Sequence, residues 1–139
     1  MNDTPSETTR PVAVATVQPD PFLGLPRRVK IGQYTFRIRV SNATESPDLE
    51  GCDGITDFEC FRIYLDERMQ LQRAVNVVQH ELTHAINWVY GINDGADEEH
   101  ITTQHTNGLV EMWSSNPKVV NWFVKNLRAM KRASAKDEE

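Results

Sequence analysis

The sequence predicts an α+β fold, a short antiparallel sheet followed by three helices, and three observations predict it. Apolar and polar residues alternate with period two in two stretches, 29–40 and 58–65. A helical period then takes over at Leu71 and holds to Val89. Gly91 and the pair Asn116-Pro117 punctuate the remainder into two more helical segments. With 139 residues the chain holds one ordinary core and tails, not two independent domains.

The elements follow in order. Residues 1–27 carry five of the seven prolines and no sustained period, so they predict a flexible N-terminal tail. From Val29 to Val40, Tyr34, Phe36, Ile38 and Val40 alternate with Thr35, Arg37 and Arg39, the pattern of a half-buried strand. Ser41 to Asp57 is rich in Asp, Glu, Gly, Ser and Asn and reads as a loop turning at Gly51 and at Asp53-Gly54. Phe58 to Leu65 predicts the next strand, with Phe61, Ile63 and Leu65 on one face.

Asp66 is a credible N-cap for a long helix whose apolar positions are 71, 74, 75, 78, 82, 85, 86 and 89. The acidic run Asp94 to Glu99 opens a second helix, where negative charge suits the helix dipole, with Ile101, Leu109 and Met112 on its inner face. Gly108 there permits close packing. Pro117 starts a third helix carrying Val119, Val120, Trp122, Phe123, Leu127 and Met130. The domain is expected to span 28–131, with residues 132–139 a charged C-terminal tail.

Composition excludes several classes. No apolar run approaches the roughly 20 residues of a membrane span. The N-terminus lacks a basic start and a signal core, which predicts a cytoplasmic protein. Cys52 and Cys60 are too few and too widely spaced for a disulfide scaffold or zinc knuckle, so reduced thiols are expected, a hairpin disulfide being the alternative. A formal net charge of −5 disfavours wholesale nucleic-acid coating while leaving a local basic patch open. Nothing fixes the oligomeric state.

The chemistry-bearing motif is His80-Glu81-Leu82-Thr83-His84 on the long helix. Four residues turn a helix by about 400°, so both imidazoles leave from nearly one azimuth, spaced for one zinc ion. Glu81 then lies beside the metal, where it can take a proton from a water that zinc has acidified and pass it to a leaving amine. Random placement of four His and eleven Glu produces the pattern about once in a hundred such chains, so its context matters. Here the apolar stripe and the histidine face coexist on one amphipathic helix.

A catalytic zinc needs a third protein ligand and an open position. Asn87 and Tyr90 occupy the places where a metzincin continuation needs Gly and His, so the next helix must supply the ligand. Glu98 lies within about 40° of the centre of that helix's inner face and is the first choice, with Glu99, about 100° away, as runner-up. His105 shares the azimuth of Glu98 but sits about 10 Å along the axis, so the two exclude each other as ligands. His100 and His105 are candidates for stabilising an oxyanion or for bonding to a ligand.

His80-Glu-Leu-Thr-His-Ala-Ile, Asp97-Glu-Glu-His-Ile, Asn107-Gly-Leu and Asn116-Pro117 together resemble the small gluzincin-type zinc metallopeptidase domains of tailed phages and prophages, over about residues 29–130. The resemblance implies a zincin-like fold, a short sheet before the active-site helix, zinc held by His80, His84 and Glu98 or Glu99, and Glu81 as base. It also implies a peptide or protein substrate laid along a sheet edge, for which Phe58 to Leu65 is the expected donor. A phage-encoded chain would act in the host cytoplasm. Larger gluzincins place an Asp four residues after the ligand Glu, where this chain has Thr102 or Thr103.

The leading expectation is therefore a zinc-dependent peptidase. A zinc-stabilised binding or assembly module without turnover is the second. The third is a SprT-like protease acting near DNA through Lys118, Lys125, Arg128, Lys131 and Arg132 of the last helix, which would need His100 or His105 in place of Glu98.

Overall fold

The computed structural model describes residues 19–137. Its fold class is the α+β arrangement expected: four strands, β1 (Arg28–Ile31), β2 (Tyr34–Ser41), β3 (Gly54–Asp57) and β4 (Arg62–Asp66), then α1 (Leu71–Val89), α2 (Glu98–Ser115) and α3 (Pro117–Asp137). A single 3-10 turn covers Pro47–Leu49.

The stretch 29–40 is a hairpin rather than one strand. β1 and β2 pair antiparallel with Ile31 opposite Tyr34, leaving Gly32-Gln33 as the turn. Gly32 has φ +58°, and a Cβ there would come 2.7 Å from Val89 Cγ1, so both conformation and space demand glycine.

The sheet is mixed, in the order β1-β2-β4-β3, which corrects the purely antiparallel expectation. β2 and β4 run parallel, with Arg37 opposite Arg62 and Ser41 opposite Asp66. Parallel neighbours require a long connection, and residues 42–61 supply it. That excursion contains β3, a strand falling inside the predicted loop. β3 returns into β4 through Phe58–Phe61, where the Asp57 carboxylate accepts from the N–H groups of Glu59 (2.9 Å) and Cys60 (3.1 Å). The strand expected from Phe58 therefore begins at Arg62.

Val29, Ile31, Phe36, Ile38, Ile63 and Leu65 point from one sheet face into the core, where they meet α1, Met112 of α2 and Val119 and Trp122 of α3. Arg28, Lys30, Thr35, Arg37, Arg39 and Arg62 are exposed, on the opposite face.

Gln70, not Asp66, is the N-cap of α1. Asp66 ends β4 in the interior and accepts from the Arg68 guanidinium at 3.0 and 2.7 Å, so it ties the β4–α1 connection. The Arg68 hydrogen bonds hold its carboxyl below the usual range, against the raising effect of burial. Gly91, at φ +66°, follows the helix as expected. Asp97 caps α2, accepting from His100 N at 2.8 Å. A Cβ on Gly108 would lie 2.6 Å from Ile86 Cγ2 and 3.1 Å from Tyr90 Cδ2, which gives this glycine the packing role assigned to it.

Both ends need correction. α3 stays helical through Asp137, so the segment set apart as a C-terminal tail continues the helix. At the other end the expected tail 1–27 gives way to packed chain by Pro21, residues 1–18 lying outside the described set. Phe22 is a core residue, the Trp122 indole donates to Pro21 O at 3.0 Å, and Lys125 Nζ donates to Leu23 O at 2.7 Å. Cys52 and Cys60 are free and exposed. No helix among the described residues is long and apolar enough to cross a membrane.

Candidate metal centre

α1 sorts its side chains by azimuth. Ala74, Val75, Val78, Leu82, Ala85 and Ile86 are buried against the sheet and the other helices, while His80 and His84 leave from an exposed face. Their Nε2 atoms stand 3.0 Å apart, with ring centroids at 4.6 Å and planes at 83°. Two nitrogens bound to one tetrahedral zinc at roughly 2.0–2.1 Å lie about 3.3 Å apart, so the pair fits that ion with an adjustment of a few tenths of an ångström. Without a cation, the same approach requires one ring to donate its Nε2 proton to the other.

Glu81 lies between them in sequence but faces another way. It is 4% exposed, and its Oε2 accepts from the Thr56 hydroxyl at 2.6 Å. The same hydroxyl oxygen lies 3.2 Å from the Glu81 carbonyl. A carboxylate taken out of water needs donors, and Thr56 of β3 provides one. Gly54 makes the approach possible: a Cβ at this position would lie 2.9 Å from both Glu81 Cγ and Val77 Cγ1. The sequence reading places Gly54 in a turn and gives Thr56 no role at the site. The available signal was a glycine two residues before a threonine on a β-prone Ile-Thr pair.

The other candidates are less gathered. Glu98 is the first residue of α2, and its side chain lies outside the described residues. Glu99 is exposed and accepts from Thr103 Oγ1 at 3.3 Å. His100 is exposed, with its backbone N–H committed to the Asp97 cap. His105 Nε2 sits 2.7 Å from Asn87 Oδ1. An amide oxygen only accepts, so this contact puts the His105 proton on Nε2 and ties α2 to α1 one turn beyond His84. Among the described residues, no three His, Cys, Asp or Glu side chains converge to hold a metal ion.

Around the histidines the sheet and helix offer two further features. β4 has neighbours on both sides, so the strand expected to offer a free edge, 58–65, has none; among the described residues β3 is an edge strand, laddered to β4 alone. One turn beyond His84, Trp88 is 42% exposed, stacked on Phe58 at 5.6 Å and edge-on to Tyr34 and Phe61. This aromatic shelf is apolar surface beside the imidazoles.

Comparisons with protein-family models, with curated proteins and with solved structures return no match.

Proposed function

We propose that the chain is a zinc-dependent peptidase of the gluzincin type, in which His80 and His84 hold the ion and Glu98, or Glu99 as runner-up, completes the protein ligands. The observation that carries this reading is the convergence of two exposed Nε2 atoms to 3.0 Å on the face of α1 that the core does not use. Zinc bound there supplies Lewis acidity to a water and to a peptide carbonyl.

The chain's own groups do the rest. With the ion held by His80 and His84, Glu81 would turn from Thr56, which holds its carboxylate here, to take a proton from the water and pass it to the departing amine. An extended peptide adds to the open side of β3, its backbone pairing with main-chain groups that β4 does not use. Apolar substrate side chains find surface on Trp88 and Phe58.

Metal content and cleavage of a mixed peptide library test this together. Wild-type protein is expected to copurify with one zinc per chain and to cleave. Glu81→Gln should keep the metal and lose turnover, and His80→Ala and Glu98→Ala should lose the metal. A parent without zinc after metal-replete preparation overturns the proposal. A second reading, a zinc-held module without turnover, draws on the burial of Glu81 against Thr56, which occupies the would-be base. Stoichiometric zinc with no cleavage by the parent would select it.

A further inference from the structure

The sheet face turned away from the helices concentrates positive charge. Arg28, Arg37 and Arg62 occupy one row across β1, β2 and β4, as direct partners in the two ladders. Arg39 lies two residues beyond Arg37 on the same face, and all four are exposed. With Arg27 they line a groove of about 650 Å³ between the entering chain and β2. None of the five takes part in an ion pair among the described residues.

Two carboxylates adjoin the patch and are outnumbered by it: Asp20 lines the groove, its Oδ1 accepting from Phe22 N at 2.9 Å, and Asp57 is the ladder partner of Arg62, its Oδ1 accepting from the Glu59 and Cys60 N–H groups. Like charges placed directly opposite one another on a sheet are destabilising. A chain of net charge −5 that gathers five of its fifteen cationic side chains this way is complementary to an anion.

Two features narrow the anion. The patch is all arginine, whose planar fork suits phosphate and carboxylate oxygens, and an aromatic ring adjoins it. Tyr64 is the ladder partner of Arg39, and its hydroxyl lies 3.4 Å from Arg62 Nη1. A ring beside arginines on an open sheet face is an arrangement that can stack an unpaired base while the guanidinium groups hold its backbone. A face three strands wide is too broad for the duplex major groove, which admits a two-stranded ribbon. We infer that the outer sheet face of β1, β2 and β4 binds single-stranded nucleic acid, with Arg28, Arg37, Arg39 and Arg62 on phosphates and Tyr64 under a base.

Fluorescence anisotropy of a labelled single-stranded 12-mer, titrated with the full chain at 50–200 mM salt, tests this. Binding is expected with a slope of log K against log salt of about −3, four phosphates at roughly −0.7 each. Arg37→Glu with Arg39→Glu should lower affinity at least tenfold and flatten the slope. Tyr64→Ala should cost roughly tenfold with the slope kept, and Tyr64→Phe should restore it. Arg28→Ala with Arg62→Ala, a milder pair checked by circular dichroism, should weaken binding in the same direction.

Absence of binding at 50 mM salt overturns the inference. So does binding that survives the Arg37/Arg39 reversal, or binding lost instead on Lys125→Glu with Arg128→Glu in α3. Equal competition by polyglutamate together with indifference to Tyr64→Ala would assign the face to an acidic polypeptide. Self-association abolished by the Arg37/Arg39 reversal, without oligonucleotide binding, would assign it to a second copy.

Discussion

The two edges of the sheet are finished in opposite ways. Along β1 the outward main chain is closed by side chains from α2 and its end: Lys30 N donates to Asn116 Oδ1 at 2.8 Å, Asn116 Nδ2 donates to Lys30 O at 2.6 Å, and Gly32 N donates to Glu111 Oε2 at 2.7 Å. Glu111 also takes the Lys30 ammonium at 2.8 Å and the Ser115 hydroxyl. Along β3 no such closure exists among the described residues; its inward threonine serves Glu81 and its outer ladder stays open. Edge strands left open invite another chain. Sealing the distant edge leaves β3, packed on α1, as the open edge of the sheet among the described residues.

The largest expected effect comes from parting α2, which seals the β1 edge, from α1. Gly108→Ala forces a methyl against Ile86 and Tyr90, and overpacking of this kind costs about 3 kcal/mol. Chemical denaturation measures it; a loss under about 0.5 kcal/mol would mean that the close approach is not needed. Next is the seal itself. Glu111→Ala leaves Gly32 N–H without its carboxylate partner and should cost about 1–2 kcal/mol, most of it from that N–H because Lys30 is half in water. Amide exchange should speed up at Gly32, and unchanged exchange there would remove the distinction between the edges.

On the open side, Thr56→Val keeps the shape and deletes the donor to Glu81. A cost of about 1 kcal/mol is expected in thermal unfolding. If the proposed peptidase chemistry is right, the rate of cleavage should also change, since Thr56 no longer holds the carboxylate in place. A variant identical to the parent in both readouts would detach β3 from the site.

The smallest effect is one of pH. Glu111 is held below its ordinary range: burial alone would raise it, but Lys30, the Gly32 N–H and Ser115 together prevail. A carboxyl lowered on folding adds stability above its unfolded value of 4.5, and that stability is lost as the pH falls through the folded value. Unfolding free energy measured between pH 5 and 3 should therefore decline, less steeply in Glu111→Gln. Equal slopes would show that the carboxylate adds nothing to the seal.

Much of the helical half was legible because a 19-residue amphipathic period is a long signal, and the His80/His84 geometry follows from helix pitch alone. The sheet was less legible for a physical reason. β3 is four residues long, begins with glycine and ends with aspartate, so local preference argues against the strand that its ladder to β4 and packing on α1 stabilise. The parallel β2–β4 pairing leaves no local trace, since it is made by residues on either side of a long excursion. Asp66 was misread because a carboxylate before a helix looks like a cap, whereas Arg68 claims it. Phe22 sat among prolines, where no period could betray its burial.

The clasp between the beginning and the end of the described chain has a consequence for biosynthesis. Pro21 and Leu23 accept from Trp122 and Lys125, partners about a hundred residues downstream. A ribosome delivers residues in order, so Phe22 waits in the nascent polypeptide until α3 has left the exit tunnel. The interior closes only once α3 has emerged, and until then the apolar faces assembled earlier stay open to solvent.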